Sequence, residues 1–230
     1  MIGRELRRSL DAEQWLIISP HFDDAVLSCA SLLEEVKDVH VFTMFGGDGP
    51  PAQPVLEWDR DCGFSSPSVA METRRLEEVA ALGRLRATYS WANELQEGYR
   101  SDEPDSRHLE RLLDTAVHAV HPANVLIPLG LAHNDHRLVS DASFAAATKW
   151  GQLRVFAYSE RPYWQRNPRA LVRRVGELRR RGVGIRSYGF RWRTSAVARE
   201  AMGSYSSQLR GLNTTVNRIC LTPEHYWSVS

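Results

Sequence analysis

The stretch WLIISPHFDDAVLS, residues 15–28, sets a pattern that the rest of the chain repeats. Its apolar opening predicts a buried parallel strand over residues 15–19. Apolar side chains then recur at helical spacing, which predicts a helix over residues 23–36 that Asp23 or Asp24 could cap. The turn between strand and helix therefore carries an imidazole and two carboxylates, supplied by His21, Asp23 and Asp24.

Further strands and helices alternate along the chain. The apolar runs predict strands over residues 41–45, 87–91, 125–128 and 155–158. Helical spacing predicts helices over residues 66–85, 109–120 and 133–150. This alternation indicates an α/β fold, a three-layer Rossmann-like domain with a mainly parallel sheet flanked by helices. We expect a single domain over residues 1–230, with a core of about 15–158 and an elaboration over 159–230.

Composition excludes several classes of partner. The 230 residues are 43% hydrophobic and carry a net charge of +1, which gives no bulk attraction to nucleic acid or an anionic membrane. No apolar run approaches the ~20 residues of a membrane span. Three scattered cysteines without a CxxC spacing fit a reducing cytoplasm. We therefore expect a cytoplasmic protein with a small-molecule substrate and no integral membrane segment, and leave a homo-oligomer open.

An arginine-rich stretch over residues 169–193 changes the character of the chain. We interpret it as a solvated helix followed by a loop. The alternative is a basic patch for a phosphorylated substrate.

A second polar cluster, His133-Asn134-Asp135-His136, follows the predicted strand 125–128. In parallel sheets, ligands bind beyond the carboxyl ends of the strands. We therefore expect this cluster and the one after strand 15–19 to face a single crevice.

Together the two clusters match the ligands of a catalytic zinc ion, which takes imidazole and carboxylate groups and keeps one position open for water. His21 and Asp24 are three residues apart across a turn, so both can point at one centre while Asp23 is aimed toward the water. His133 and His136 share a face if the segment is helical, so one could bind metal while the other faces the reaction. This combination favours a metal-dependent hydrolase.

The motifs PHFDD, followed by AVLSCASLL, and the later HNDH resemble those of the PIG-L/LmbE family of zinc-dependent N-deacetylases. The resemblance covers roughly residues 15–158. It implies three zinc ligands, which are His21, Asp24 and His136, with Fe²⁺ as an alternative metal. It further implies that Asp23 is the general base and that His133, supported by Asp135, polarises the carbonyl and assists the leaving group.

Two more residues are candidates for substrate binding. The family commonly carries an RxxE helix segment near the substrate, and Arg74 to Glu77 match it. Asp48 lies in the glycine-rich loop after strand 41–45, where it could bind sugar hydroxyls or simply form a turn. The chain departs from the family pattern at Phe22 (usually proline), Ala25 (usually glutamate) and Asn134 (a variable position).

The function implied by the resemblance is removal of an N-acetyl group from an N-acetylglucosamine-type sugar or glycoconjugate. One alternative keeps the fold and metal but cleaves another amide, in a thiol conjugate or a natural product. A second is an inactive or binding homologue. A third, a non-haem iron oxygenase, is disfavoured because such sites usually lie on all-β barrels, whereas this chain alternates strands with helices.

Overall fold

The computed structural model describes residues 14–131, 133–191 and 193–230. Its centre is a seven-stranded sheet in the order β3-β2-β1-β4-β5-β7-β6. The strands are β1 (Trp15–Ser19), β2 (Val39–Thr43), β3 (Thr88–Trp91), β4 (Asn124–Pro128), β5 (Arg154–Tyr158), β6 (Ile185–Arg191) and β7 (Glu224–Val229). Strands β1 to β5 pair in parallel, and β7 pairs antiparallel with both β5 and β6.

Helices cover both faces of this sheet. They are α1 (Asp24–Glu35), α2 (Glu57–Asp61), α3 (Pro67–Leu85), α4 (Ser106–Val120), α5 (Asn134–Ala147), α6 (Arg161–Arg166), α7 (Pro168–Arg180), α8 (Ala196–Gly203), α9 (Ser206–Gly211) and α10 (Val216–Ile219). Trp15 and Ile17 of β1 pack in the apolar core under α1, α3 and α8. Leu16 and Ile18 pack in the core under α4, α5 and α7. The alternation along β1 thus separates two helical layers, and the predicted three-layer α/β fold is confirmed.

The sheet reverses its strand order beside β1. The chain proceeds from β1 to β2 and β3 on one side, then returns to place β4 and β5 on the other side. Such a reversal opens a crevice at the carboxyl ends of the two central strands. Both polar motifs directly follow these strands, so the topology brings them to the same crevice.

The C-terminal part of the chain differs from its prediction. The loop expected after the arginine-rich helix is strand β6, which the sequence obscures because polar side chains such as Arg186 and Ser187 interrupt its apolar pattern. Strand β7 also joins the sheet, between β5 and β6. Met202, Tyr205 and Tyr226 lie in the same apolar core as β1, so the core extends well past residue 158.

Other boundaries shift by a few residues for local reasons. Helix α4 begins before residue 109 because the Asp105 carboxylate accepts a hydrogen bond from the Arg107 amide. Helix α3 begins as predicted, with the Ser66 hydroxyl accepting from the Val69 amide. No helix in the described ranges is long and apolar enough to cross a membrane.

Candidate metal centre and active site

Hydrogen bonds fix the turn between β1 and α1. The Ser19 hydroxyl donates to the His21 carbonyl over 2.6 Å and accepts from the Ala25 amide over 3.0 Å. The Asp24 carboxylate accepts from the His21 amide over 2.9 Å. Asp23 occupies the N-cap position of α1, but its side chain makes no capping hydrogen bond there. Its carboxylate lines the cavity above the turn, and is thereby available for chemistry.

The structure brings the three predicted metal ligands together. Asp24 Oδ2 lies 3.3 Å from His21 Nδ1 and 3.3 Å from His136 Nε2. One ligand atom from each residue lies within 4.8 Å of the others, as one ion requires. His136 Nε2 is buried and has no hydrogen-bond partner among the described residues. An inward-facing imidazole nitrogen beside a carboxylate fits a metal ion well.

Glu160 supports His136 from behind. Its Oε1 lies 3.3 Å from His136 Nδ1 and accepts hydrogen bonds from the amides of Gly130 and Leu131, over 2.8 and 3.0 Å. A hydrogen bond at Nδ1 leaves Nε2 as the metal-facing nitrogen. Gly130 has a φ of +85°, and a Cβ there would lie 2.6 Å from the Ser140 side chain, so this loop requires glycine.

Asp135 supports a different histidine from the one expected. Its Oδ2 lies 2.9 Å from His21 Nε2 and accepts from the Glu97 amide over 2.9 Å, while Oδ1 pairs with Arg100 Nη1 at 2.5 Å. The contact with His133 is made by the Asp135 backbone, whose amide donates to His133 Nδ1 over 3.3 Å. Asp135 therefore orients the candidate metal ligand His21 through its carboxylate and contacts His133 through its backbone amide.

A second group of potential ligands, His21, His133 and Asp135, also lies close together. Its carboxylate is already engaged by His21, Arg100 and a backbone amide. The group of His21, Asp24 and His136 is therefore the better candidate for a metal centre.

The charges of the candidate metal ligands His21 and Asp24 depend on each other. Burial opposes a charged His21, but hydrogen bonds to Asp135 and Asp24 outweigh burial and raise the pKa of His21 to about 10. Burial would raise the pKa of Asp24, but His136 and His21 lower it overall. In the absence of a metal ion, the proton on His21 thus balances the buried carboxylate charge.

The two candidate proton-transfer groups are shifted in opposite directions. Burial, together with the neighbouring Asp24, raises the pKa of Asp23 to about 7, which is suited to a general base. Burial and the nearby His21 and His136 lower the pKa of His133 to about 4. His133 is therefore neutral near pH 7. Since Nδ1 accepts from the Asp135 amide, its proton resides on Nε2.

A cavity of about 250 Å³ lies above these groups. Its lining combines the polar cluster with an apolar wall. The lining residues are His21, Phe22, Asp23, Phe45, Leu56, Trp58, Met71, Arg74, Gln96, Glu97, His133, Tyr163, Arg166, Gln208 and Leu212.

The two predicted substrate-binding residues have different locations. Arg74 lines the cavity, where Asp59 pairs with its guanidinium and Gln96 accepts from Nη1 over 3.4 Å. Asp48 is 70% exposed and pairs with Arg75 at 2.6 Å, outside the cavity lining. The ion pair joins the Asp48 loop to α3, and the substrate-binding role of Asp48 stays a prediction.

The departures from the family motif are accommodated by packing. Phe22 adds an aromatic ring to the cavity wall, and its centroid lies 5.6 Å from that of Trp91. Ala25 is fully buried under the turn. Asn134 donates to Glu103 over 2.8 Å at the surface. None of these residues contributes an atom to the metal ligand group.

Comparison with known proteins identifies the family to which the chain belongs. The model of the PIG-L family, described as GlcNAc-PI de-N-acetylase, matches residues 16–147. The chain belongs to the PIG-L family. The match contains both motifs that meet at the cavity, and it confirms the resemblance inferred from them.

Individual PIG-L relatives cover most of the chain. The 2'-N-acetylparomamine deacetylase of Niallia circulans is 28% identical in an alignment 240 residues long, gaps included, that covers 88% of this chain and 83% of the relative. The crystal structure of the A40926 pseudoaglycone deacetylase is similar, with a TM-score of 0.73, 25% identity, and coverage of 94% of this chain and 97% of that one. A zinc-inhibited form of teicoplanin deacetylase has the same fold, with a TM-score of 0.74, 21% identity, and coverage of 94% and 98%. These comparisons confirm the α/β fold and the expectation of an amide-hydrolysing deacetylase.

Proposed function

We propose that this protein is a zinc-dependent N-deacetylase that removes the acetyl group from an N-acetylated amino sugar within a larger glycoconjugate. The observation that carries the proposal is the convergence of His21, Asp24 and His136 on one point, with the Asp23 carboxylate beside them at the cavity. Two histidines and one carboxylate leave an open position in a tetrahedral zinc site, which is the arrangement of a catalytic rather than a structural ion.

The ligand side chains fit zinc, and Fe²⁺ is the alternative that the same ligand types would accept. A divalent ion bound there would lower the pKa of a water molecule and polarise the acetamide carbonyl. The protein's contribution is to hold the ligands in place. Glu160 fixes His136 and Asp135 fixes His21, so both imidazoles present the correct nitrogen before any ion binds.

Asp23 acts as the general base. Its raised pKa of about 7 keeps it partly ionised at neutral pH while making it a stronger base than an ordinary aspartate. It takes a proton from the attacking water and passes it to the departing amine. The products are acetate and the free amino sugar.

Neutral His133 donates a hydrogen bond from Nε2 to the acetamide oxygen as negative charge develops there. The Asp135 amide holds the ring in the tautomer that makes this donation available. Glu97 Oε2 lies 3.6 Å from His133 Nε2, and both residues line the cavity.

The cavity wall supports an amino sugar as the substrate. Trp58 and Tyr163 line the cavity and offer rings for stacking against the apolar face of a pyranose. The relatives are named as deacetylases of 2'-N-acetylparomamine and of the A40926 pseudoaglycone, which supports an N-acetyl group on a larger molecule as the target. We also propose a single domain in the cytoplasm, where the free cysteines Cys29, Cys62 and Cys220 fit a reducing environment. A homo-oligomer stays a prediction.

Acetate release from a panel of N-acetylglucosaminides tests this function. The Asp23→Asn variant keeps the shape of the side chain and removes the base, so kcat should fall by about 10²–10⁴-fold. The matched control is Asp48→Asn, which makes the same chemical change outside the cavity and should retain wild-type activity. Bound metal without acetate release from any panel member would contradict the amino-sugar assignment and favour another amide.

A further inference from the structure

The positive charges that line the cavity are not equivalent. The Arg74 guanidinium is buried and paired with Asp59, whose other carboxylate oxygen accepts from Tyr99. Its charge is thereby neutralised within the protein. Arg166 has no carboxylate within ion-pair distance among the described residues, and its guanidinium donates to the Leu212 carbonyl. The cavity therefore presents one uncompensated cation from its described lining.

Helix α6 places Arg166 in the lining of the same cavity as Asp23 and His133. Tyr163 precedes it by three residues, so both side chains lie on the same face of this short helix. The Tyr163 ring packs edge-on against the His136 ring, with 4.9 Å between centroids. Arg166 is exposed and lines this cavity, so it lies at the mouth of the cavity.

The hydrogen bond to the Leu212 carbonyl holds the Arg166 guanidinium in place and leaves most of its N–H donors available. One nitrogen donates to that carbonyl, and a guanidinium has five N–H donors in a planar fork. The remaining donors match the two oxygens of a carboxylate or a phosphate. A substrate amine at this place would instead meet a like charge.

We propose that the deacetylase selects amino sugars that carry an anionic group, a carboxylate or a phosphate, and that Arg166 is the residue that recognises it. This proposal rests on the proposed deacetylation and names the substrate class of that site. The N-acetyl group lies at the metal ligands, and the anion lies toward the mouth. Arg166 determines specificity and takes no part in the proton transfers.

Matched substrates test the selection. N-acetylglucosamine 1-phosphate represents the phosphate, N-acetylmuramic acid represents the carboxylate, and its methyl ester and methyl N-acetylglucosaminide are the neutral counterparts. We expect kcat/KM for one of the two anions to exceed that of its neutral counterpart by about ten- to hundredfold, the range of one hydrogen bond between charged groups. The preferred anion identifies the source of the negative charge.

Three variants assign the selection to Arg166. Arg166→Gln should remove the preference by lowering kcat/KM on the anionic substrate alone, and Arg166→Lys should restore part of it. Arg169→Gln is the matched control, because it removes an exposed arginine outside the cavity lining. Equal rates on anionic and neutral substrates, or an equal loss on both in Arg166→Gln, would overturn the proposal.

Binding separates this proposal from the deacetylation itself. Glucosamine 1-phosphate and methyl glucosaminide, which have no acetyl group, are titrated into metal-loaded protein by calorimetry. Tighter binding of the phosphate in the wild type but not in Arg166→Gln would support anion recognition even if no acetate were released. The same binding comparison between muramic acid and its methyl ester tests recognition of a carboxylate. Equal affinities in both pairs would refute anion recognition whatever the enzyme's activity.

Discussion

The two sides of the cavity are built differently. One side, here named the metal side because it holds the candidate metal ligands, consists of two turns after β1 and β4. The turns lie side by side because the two strands are neighbours in the sheet. The opposite wall is assembled from short helices far apart in sequence, such as α2 and α6, and is joined by side-chain contacts. Sheet topology fixes the reaction centre, whereas a few ion pairs and hydrogen bonds set the shape and charge of the wall. The chemistry can therefore persist while the wall changes with the substrate.

The largest effect that distinguishes the two sides should come from Glu160. In Glu160→Gln, the side chain keeps its size but the carboxylate that orients His136 is lost, so metal affinity should fall by about 10–100-fold. Metal affinity is measured by competition with a chelator of known strength. The control is Glu177→Gln, which removes a carboxylate from the surface pair with Arg137 and should leave metal affinity unchanged. Equal affinities in wild type and Glu160→Gln would contradict the supporting role.

Metal binding should release a proton from His21 on the metal side. His21 has a pKa of about 10 in the metal-free protein, so it is protonated at pH 7 and must lose a proton to become a ligand. Metal affinity should therefore fall as pH decreases, by about tenfold for each pH unit below 10 from this group. Calorimetry in buffers of different ionisation enthalpy counts the protons. We expect about one from His21 at pH 7–8, and metal binding without proton release would refute the raised pKa.

Loss of an ion pair in the opposite wall should lower the free energy of unfolding and leave metal affinity unchanged. Asp59 is fully buried and pairs with Arg74, so Asp59→Asn leaves a buried guanidinium without its partner. We expect the free energy of unfolding to fall by about 3 kcal/mol and KM to rise, with unchanged metal affinity. Denaturant unfolding and metal titration measure the two effects. A loss of metal as large as that in Glu160→Gln would show that the two sides are not independent.

The smallest effect is expected at the exposed pair of Asp48 and Arg75. An exposed ion pair contributes little to stability, and Asp48 does not line the cavity. Asp48→Ala should therefore leave kcat/KM for amino-sugar substrates unchanged. A rise in KM would contradict this prediction and show that Asp48 contacts the substrate after its loop moves.

Local sequence was sufficient to predict that the two polar turns meet. A short apolar run followed by clustered histidine and aspartate predicted both turns, and parallel strand ends predicted that they meet. The same rule could have found Glu160, which lies two residues beyond β5, another parallel strand beside β4. The partner of Asp135 could not be predicted, since the direction of its carboxylate depends on how α5 sits against the first turn.

The wall could not be predicted from local sequence, because its contacts join residues that are far apart in the chain. Glu77 matches the family motif, yet its partners are the hydroxyls of Ser206 and Ser207 and the Ser207 amide, more than a hundred residues later. Arg166 lies in the C-terminal third, where no motif was recognised. Strand β6 was missed for a related reason, because a strand at the sheet edge does not need a continuous apolar run.

Adjacent substitutions in the first turn give the most direct test of the central claim, that Asp24 binds the metal and Asp23 does not. Metal content per chain is measured by mass spectrometry on wild type, Asp23→Asn and Asp24→Asn after loading and removal of free ions. The two variants make the same chemical change one residue apart. We predict one metal per chain in wild type and in Asp23→Asn, and loss of metal in Asp24→Asn. Full metal content in Asp24→Asn, or loss of metal in Asp23→Asn, would contradict the assignment of the site.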